Sequence, residues 1–404
     1  MRRCFGLRAC REGAFGRVKV AKAVSQADLD DALLAASMEV EPWSSGSRLV
    51  HIRDLQKAEA NHGQVQLMQD RSHRGKFLAV KRMPTAWVQH GPRDFDDLYP
   101  ESTEKPWLDI AIVRLLGSHG YSYACRLHGV FRSVDETLVA TSYCGEGDLF
   151  DWCMHKSVPA PGCERETQMR PIVAQICAAV RWLHDLGIAH RDLSLENILL
   201  ARLDASLHAK LIDFGTATLR RKVQREPRGK VVYCAPETHS DGEVDTFLAD
   251  DFALGVVFFA MGAKDYPWSC TEHGKCHLFD YVAYFGLRRF LSKRRSHHGH
   301  DDKYLGEMMT EDFIAFIEAL IQVRPKKRAS VGETAFDDEV RFRCRPNVWT
   351  MNYMKGAHSL LQCLTPPPIE KGSASSPSGS TCSTISGVSA ETEWMSDRAP
   401  MLWD

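Results

Sequence analysis

The sequence predicts an α+β fold in which short strands accompany a larger set of helices. Apolar residues recur with helical spacing from Met169 to Leu186 and again from Phe313 to Ile321. Two short apolar runs, Leu195–Leu200 and His208–Asp213, have the length and composition of strands. No internal repeat is present, so the sequence does not indicate a solenoid or a propeller.

The length and composition are typical of a folded protein with one large core. A chain of 404 residues allows two or three folding units, and 44% apolar residues are enough to build a core. The net charge of −1 argues against a protein that coats nucleic acid, because such proteins carry a basic excess. We therefore expect no nucleic-acid partner.

Three further features concern membranes and compartment. The longest nearly uncharged apolar run, Phe252–Ala263, is 12 residues long, whereas a membrane-spanning helix needs about 20. The first residues, MRRCFGLRACREG, do not resemble a signal peptide. The 13 cysteines include no C-x-x-C pair, which is typical of reduced thiols. We expect no membrane span and a cytoplasmic or nuclear location.

Two segments differ in composition from the rest of the chain. Residues 365–392 are dominated by Ser, Thr, Gly and Pro, which predicts a disordered tail over 365–404. Residues 26–74 are polar and turn-rich, with one helix-like piece from Ala27 to Met38. This second segment is interpreted as an insertion in a smaller domain.

Three short motifs follow one another in the second half of the chain. Ile188–Asn197 reads IAHRDLSLEN, Lys210–Gly215 reads KLIDFG, and Tyr233–Glu237 reads YCAPE. In this order and spacing they match H-R-D-x-x-x-x-N, D-F-G and A-P-E. The sequence therefore resembles the eukaryotic protein kinases of the serine/threonine type, with departures like those of divergent protist kinases.

The resemblance implies a bilobal kinase fold with a small β-rich N-lobe and a larger, mostly helical C-lobe. The N-lobe would comprise residues 1–141 with the insertion at 26–74, and the C-lobe residues 142–335. A C-terminal extension (336–364) and the tail (365–404) would follow. The implied activity is transfer of the γ-phosphate of ATP to hydroxyls of protein substrates with Mg²⁺.

The same resemblance assigns catalytic and metal-binding roles to three residues. Asp192 would orient the attacking hydroxyl and accept its proton. Asn197 and Asp213 would each bind Mg²⁺, which neutralises charge on the transferred group. Phosphoryl transfer needs such positioning and charge neutralisation more than covalent help from the protein.

A phosphate-binding loop and a lysine are expected in the N-lobe. Residues 12–18, EGAFGRV, fit the last part of G-x-G-x-x-G-x-V, although Arg11 occupies the first glycine position. The loop would place backbone next to phosphate through these residues: Gly13, Ala14, Phe15, Gly16 and Val18. Phe77–Lys81 resembles V-A-I-K, so Lys81 would bind the α- and β-phosphates. Lys22 is the alternative, but it follows Val18 too closely for a strand to return.

In the family, a carboxylate on the following helix pairs with this lysine. Asp109 stands where the family has glutamate, in the segment DIAIVRLLGSH, and Pro106 favours a helix start just before it. Glu104 and Glu101 remain alternative partners for Lys81.

The resemblance also implies an adenine site. Val18, Ala79 and Leu199 would enclose the base. Thr141 would be the gatekeeper of the hinge, and Ser142 and Cys144 would offer backbone hydrogen bonds to the base. Asp148 would reach the ribose. Val18, Ala79 and Leu199 are also compatible with an ordinary core, since they would be buried in either case.

Two further residues support the architecture without taking part in chemistry. Arg328 stands where the family arginine pairs with the A-P-E glutamate, here Glu237. Asp250 stands where the family aspartate holds the catalytic-loop backbone.

The catalytic loop departs from the family pattern at one cation. Serine/threonine kinases usually have lysine two residues after the catalytic aspartate, but this chain has Ser194, and Glu196 follows. Lys230 replaces the threonine of G-T-x-x-Y-x-A-P-E. We hypothesise that Lys230 supplies the missing positive charge in catalysis; the alternative is a solvated lysine in a basic loop.

The activation segment also departs from the usual pattern. Arg191 would normally pair with a phosphate on this segment, yet no Ser or Thr occurs from Leu219 to Val232. Glu226 is a candidate fixed anion in place of that phosphate. We expect activity that does not depend on phosphorylation of this segment.

Two functions of different class fit the sequence best, and a third, a small-molecule kinase, is disfavoured by the complete A-P-E segment. The first is an active serine/threonine protein kinase that uses Mg²⁺ and ATP and acts on protein substrates. The second is a pseudokinase that serves as a nucleotide-binding scaffold or as a regulator. A regulatory partner is compatible with either function.

Overall fold

The computed structural model describes residues 23–43, 48–57, 63–72, 75–204, 206–225, 227–296, 303–332, 335–337, 340–342, 347–357 and 361. Up to Leu364 they belong to one compact unit. The predicted Gly13, Ala14, Phe15, Gly16 and Val18 of the phosphate loop, Glu226 and the tail lie outside the described residues.

The described helices and strands follow the predicted α+β pattern. The helices are α1 (Gln26–Met38), α2 (Thr85–Val88), α3 (Pro92–Leu98), α4 (Pro106–Ser118), α5 (Leu149–Met154), α6 (Cys163–Asp185), α7 (Thr246–Ala263), α8 (His277–Phe285), α9 (Leu287–Leu291), α10 (Leu305–Met308) and α11 (Glu311–Leu320). The strands are β1 (Val40–Pro42), β2 (Leu49–Lys57), β3 (Gln64–Asp70), β4 (Lys76–Pro84), β5 (Leu127–Arg132), β6 (Glu136–Ser142), β7 (Ile198–Leu203), β8 (Ser206–Leu211), β9 (Lys222–Gln224), β10 (Glu243–Asp245), β11 (Ala335–Asp337) and β12 (Val340–Phe342).

The N-lobe is a six-stranded sheet in the order β1-β5-β6-β4-β3-β2. All neighbours are antiparallel except β1, which runs parallel to β5. Successive side chains of a strand point to opposite faces, and β4 illustrates the consequence. Leu78 and Val80 are fully buried on one face, so Ala79 and Lys81 lie on the other.

The interpretation of residues 26–74 as an insertion is wrong. This segment contains α1 and β1, and it also supplies β2 and β3, the two strands that precede the Lys81 strand in the sheet. β2 reads LVHIRDLQK and lies at the sheet edge with mostly exposed side chains, so its sequence carries no clear apolar alternation. Residues 58–63 connect β2 to β3.

Helix α1 packs along α4, the helix that contains Asp109. It begins with a capping box between Ser25 and Asp28, which satisfies two backbone N–H groups at its start. At its other end Glu39 accepts a hydrogen bond of 2.6 Å from Nη2 of Arg114 on α4. The segment before α1 contacts the C-lobe, because the Val24 N–H donates to the carbonyl of Leu186 at 2.9 Å. These contacts tie α4 to both lobes.

The C-lobe is built around α6 and α7. Close packing on α7 depends on glycine: a Cβ at Gly262 would lie 2.4 Å from the ring of Phe313. Helix α7 is the one described helix that is long and apolar enough to cross a membrane, but 94% of it is buried inside the protein, as in a core helix.

The chain after residue 335 adds to the C-lobe. Strands β11 and β12 form a hairpin, and two 3-10 turns follow at Val348–Thr350 and Asn352–Met354. The Trp349 indole N–H donates to the carbonyl of Val331 at 2.7 Å, and Tyr353 is buried with its hydroxyl 3.3 Å from the carbonyl of Glu166. The part of the predicted extension around Trp349 and Tyr353 therefore packs on the C-lobe.

Candidate active site

The catalytic loop is fixed by a buried carboxylate on α7. Asp250 accepts hydrogen bonds of 2.8 Å from the backbone N–H groups of His190 and Arg191, and it lies 2.9 Å from Nε2 of His184. Buried backbone donors need such partners, so Asp250 holds the loop that leads into Asp192. The predicted role of Asp250 is confirmed.

Asp192 and Asn197 face each other within this loop. Nδ2 of Asn197 donates to the backbone carbonyl of Asp192 at 2.8 Å and to its Oδ2 at 2.9 Å. Oδ1 of Asp192 accepts from the Lys230 N–H at 3.2 Å. Burial raises the pKa of Asp192; His190 and Lys230 oppose this shift, whereas Asp213 adds to it. The carboxylate is thus positioned by both the loop and the activation segment.

Strand pairing brings Asp213 beside Asn197. These residues flank the hairpin of β7 and β8, and the Ile212 N–H donates to the carbonyl of Asn197 at 3.1 Å. Asp213 has a left-handed backbone with φ of 63°, an uncommon conformation outside glycine that is concentrated at functional sites. The next residue, Phe214, is buried with its ring 4.9 Å from that of His190.

Lys81 pairs with Glu104 rather than with Asp109. Nζ of Lys81 lies 3.2 Å from Oε1 of Glu104, in the segment just before α4. Oδ1 of Asp109 instead accepts a hydrogen bond of 2.9 Å from the Phe214 N–H. The prediction that Asp109 pairs directly with Lys81 is therefore wrong, and the alternative, Glu104, is the partner. Asp109 has one methylene fewer than a glutamate, and its carboxylate accepts a hydrogen bond from the backbone of the D-F-G segment.

The acidic groups around Lys81 explain its charge state. Burial lowers the pKa of Lys81, but attraction from Asp213, Asp109 and Glu104 outweighs burial and raises the pKa above its ordinary value. Burial and the nearby Asp213 raise the pKa of Asp109 to about 6, while Lys81 and the Phe214 N–H act in the opposite direction. Lys81 is therefore a permanently charged group among carboxylates.

Part of the predicted adenine site lies together on the sheet. Ala79 and Thr141 are cross-strand partners, and the Thr141 hydroxyl donates to the Ala79 carbonyl at 3.4 Å. The Ser142 N–H donates to the carbonyl of Arg126 at 2.9 Å, so this N–H is already used.

The remaining predicted residues of the nucleotide site lie just after the sheet or on β7. Asp148 and Leu199 form an isolated antiparallel bridge. Asp148 also caps α5 by accepting from the Asp151 N–H at 2.8 Å. Cys144 is buried with its Sγ 3.6 Å from that of Cys125. The cap gives Asp148 a structural role in addition to the predicted ribose contact.

The strand order identifies a residue that the sequence interpretation missed. Val65 on β3 pairs directly with Lys81, and directly opposed residues share one face of a sheet. Residues 58–65 read AEANHGQV, which fits G-x-G-x-x-G-x-V with alanine at the first two glycine positions. Val65 thus stands at the valine position that had been given to Val18. The spacing of Gly63 and Val65 was a sequence signal, but the EGAFGRV segment matched more glycines.

Lys230 lies next to Ser194, the residue that replaces the family lysine in the catalytic loop. Its Nζ is 3.2 Å from Oγ of Ser194 and 2.8 Å from Oε2 of Glu196. The preceding residue, Gly229, has φ of 78°, and a Cβ there would lie 2.6 Å from Oδ1 of Asp192. Only glycine fits this close approach, which brings the Lys230 backbone against the catalytic carboxylate.

The activation segment is anchored on both sides of Lys230. Strand β9 pairs with β10, and Arg221 lies 3.1 Å from Oδ2 of Asp245. On the C-terminal side of Lys230, Glu237 accepts two hydrogen bonds of 2.6 and 3.0 Å from the buried Arg328. The predicted pair of Arg328 and Glu237 is confirmed.

Comparison with known proteins agrees with this geometry. The family model described as protein kinase domain matches residues 61–338. Serine/threonine-protein kinase SIK2 of Gallus gallus is 27% identical over 268 residues, which cover 64% of this chain and 30% of the relative. NUAK family SNF1-like kinase 1 of Homo sapiens is 26% identical over 225 residues, which cover 55% of this chain and 30% of the relative.

A third relative matches a shorter stretch at higher identity. Serine/threonine-protein kinase ppk16 of Schizosaccharomyces pombe is 34% identical over 140 residues, 34% of this chain and 20% of the relative. The chain thus spans a third or less of the length of these relatives. Because the family model covers more than half of the sequence, the chain belongs to the protein kinase family.

Proposed function

We propose that this protein is an active serine/threonine kinase that transfers the γ-phosphate of ATP to hydroxyls of protein substrates. The supporting observation is the convergence of the Lys81–Glu104 pair, Asp192 bound by Asn197, and Asp213. These groups provide a cation for phosphates, a positioned proton acceptor and oxygen ligands for a metal.

The residues present fit Mg²⁺. The amide nitrogen of Asn197 is engaged with Asp192, which leaves its amide oxygen as the metal ligand. Asp213, two residues after β8, contributes a carboxylate, and Mg²⁺ prefers a few such oxygens together with phosphates and water. Bound there, Mg²⁺ would offset negative charge on the β- and γ-phosphates.

Asp192 is the proposed group that receives the substrate hydroxyl. Its Oδ1 and Oδ2 each accept one hydrogen bond from within the protein, which fixes the orientation of the carboxylate. Each carboxylate oxygen has a second acceptor site for the incoming hydroxyl. The raised pKa makes Asp192 a better proton acceptor than an exposed aspartate.

Lys81 and the connection at residues 58–63 are proposed to hold the nucleotide phosphates. Lys81 lies on the sheet face that also carries Val65 and Ala79, so phosphates and base would bind on the same side. In residues 58–63 the third glycine, Gly63, is retained and the first two are alanine. Alanine is the smallest replacement, and it keeps most of the room that close backbone approach requires.

We assign to Lys230 the γ-phosphate contact made by the family lysine. The support is its contact with Ser194, which occupies the position of that lysine. Lys230→Met should lower kcat by about tenfold to a hundredfold, because one charge-assisted contact is worth about 1.5–3 kcal/mol. Lys230→Arg is the matched control and should retain most of the activity. Unchanged turnover in Lys230→Met would leave Lys230 without this role.

A nucleotide-binding scaffold is the second candidate function. It is favoured by Ser194 in place of lysine and by the pairing of Lys230 with Glu196. Labelled Mg-ATP and generic protein substrates, tested with the purified chain and with Asp192→Ala, separate the two candidates. Label transfer that disappears in the variant supports the kinase. Binding of ATP with equal background transfer by both proteins supports the scaffold.

A further inference from the structure

Two free thiols lie against each other beside the hinge, the segment that follows β6. Sγ of Cys125, in the segment before β5, is 3.6 Å from Sγ of Cys144, which belongs to the hinge. Cys125 is 6% exposed and Cys144 is 7% exposed, so the protein encloses the pair. The proposed phosphoryl transfer uses neither side chain, because only the backbone of Cys144 is expected to bind the base. The two thiols are therefore available for other chemistry.

Backbone hydrogen bonds hold the hinge on both sides of Cys144. Before it, the Ser142 N–H donates at 2.9 Å to the carbonyl of Arg126, the neighbour of the other cysteine. After it, the Glu146 N–H donates at 3.2 Å to the carbonyl of Leu200 on β7. A displacement of Cys144 is therefore confined to the few hinge residues between these two bonds. Those residues include the backbone that is expected to bind the base.

The groups around the pair favour a thiolate on Cys144. A hydrogen bond from the Cys125 thiol lowers the pKa of Cys144, burial opposes this shift, and the nearby Lys210 ammonium adds to it. The hydrogen bond with Cys144 and burial raise the pKa of Cys125, which therefore keeps its proton. The thiolate is the nucleophilic form of cysteine. Cys144 is thus the sulfur that attacks an oxidant, and Cys125 is the second thiol.

We propose that Cys125 and Cys144 form a dithiol site that a hydroperoxide oxidises to a reversible disulfide, which weakens nucleotide binding at the hinge. In the first step the Cys144 thiolate attacks one oxygen of hydrogen peroxide, the O–O bond breaks, and hydroxide leaves. In the second step the Cys125 sulfur attacks the sulfenic acid on Cys144, the S–S bond forms, the S–O bond breaks, and water leaves with the Cys125 proton. Counted from the two thiols, two protons and two electrons are lost, and the peroxide is reduced to two molecules of water.

The disulfide changes the hinge because the two sulfurs must come closer together. An S–S bond is shorter than the 3.6 Å contact by about 1.5 Å. The hinge backbone at Cys144 shifts with its side chain, and hydrogen bonds from this backbone to the base then lose their geometry. This consequence rests on the proposed function, whereas the oxidation itself does not.

Peptide mapping tests the oxidation without depending on activity. The full-length protein is treated with hydrogen peroxide, the remaining thiols are blocked with N-ethylmaleimide, and the protein is digested with endoproteinase Asp-N. Cleavage before aspartates places Cys125 in residues 109–134 and Cys144 in residues 135–147, each as the one cysteine of its peptide. Mass spectrometry should find these two peptides joined, and dithiothreitol should separate them. Cys163→Ser removes an exposed thiol and is the matched control, in which the joined peptides should still form.

Calorimetry with a non-hydrolysable ATP analogue tests the consequence for binding. Oxidation should weaken binding by about tenfold in the wild type, and dithiothreitol should restore it. Cys125→Ser and Cys125→Ala should bind the analogue as the reduced wild type does, before and after peroxide, because Cys144 then lacks its second thiol. Thermal unfolding identifies which of the two variants keeps the fold.

Two results would overturn the proposal. The first is the absence of the joined peptides under conditions that oxidise the exposed Cys163, and the second is a disulfide that leaves the affinity for the analogue unchanged. If the peptides are joined but the reduced protein does not bind the analogue, the oxidation of the dithiol is upheld and the proposed nucleotide-dependent function is wrong.

Discussion

The pairing of Lys81 with Glu104 gives the most specific prediction for the nucleotide site. Glu104→Gln keeps the size of the side chain and removes the charge that lies 3.2 Å from the Lys81 ammonium. A charge-assisted hydrogen bond is worth about 1.5–3 kcal/mol. The two side chains are 26% and 31% exposed, so solvent screening places this pair in the lower half of that range.

The expected loss of about 1.5–2 kcal/mol corresponds to a fall of about tenfold to thirtyfold in kcat/KM for ATP. Asp109→Asn is the matched control, because its oxygen can still accept the Phe214 N–H and does not contact Lys81. This variant should change kcat/KM by less than about threefold.

Steady-state kinetics over a range of ATP concentrations measures both variants, and calorimetry with a non-hydrolysable ATP analogue separates binding from turnover. Thermal unfolding of each variant checks that the fold is intact. A larger loss in Asp109→Asn than in Glu104→Gln would refute the assignment of Glu104 as the partner of Lys81.

Three other predictions concern the loop, the core and pH. Gly229→Ala should abolish most activity, because its Cβ would lie 2.6 Å from Oδ1 of Asp192 at a backbone φ of 78°; kinetics showing normal kcat would contradict this close approach. Arg328→Ala should lower the free energy of unfolding by about 3–5 kcal/mol in urea titrations, because it leaves Glu237 unpaired beside the core; a loss below about 1 kcal/mol would contradict the importance of the pair. The pKa of Asp109 is raised to about 6, so the folded state favours its protonated form, and the stability that this group contributes at low pH is lost between about pH 4 and 6. Asp109→Asn should lack this component of the pH dependence. If the free energies of unfolding of the two proteins, measured by urea titration, change in parallel from pH 4 to 7, Asp109 does not titrate in this way.

The catalytic half of the site could be predicted from the sequence because its motifs are contiguous. Asp192 and Asn197 stand on one short loop, and the hairpin of β7 and β8 places Asp213 beside them. The distant partners Asp250 and Arg328 were also predictable, since each stands at a fixed spacing from a recognisable motif.

The N-lobe could not be predicted equally well. Strand β2 lies at the sheet edge with mostly exposed side chains, so its apolar pattern is weak, and the polar segment was interpreted as an insertion. The choice between Asp109 and Glu104 depended on the position of α4 relative to β4. That position is set by packing across the lobe, including α1, and local sequence does not encode it.

The proposed phosphoryl transfer is tested most directly by the Mg²⁺ dependence of phosphoserine and phosphothreonine formation, measured by mass spectrometry with the purified chain, ATP and protein substrate. The wild type should form both products only with Mg²⁺, and Asp213→Asn should reduce the rate by at least about a hundredfold because it removes a charged metal ligand. Equal product formation by the two proteins, or no product from the folded wild type with Mg²⁺ and ATP, would contradict the proposed kinase activity.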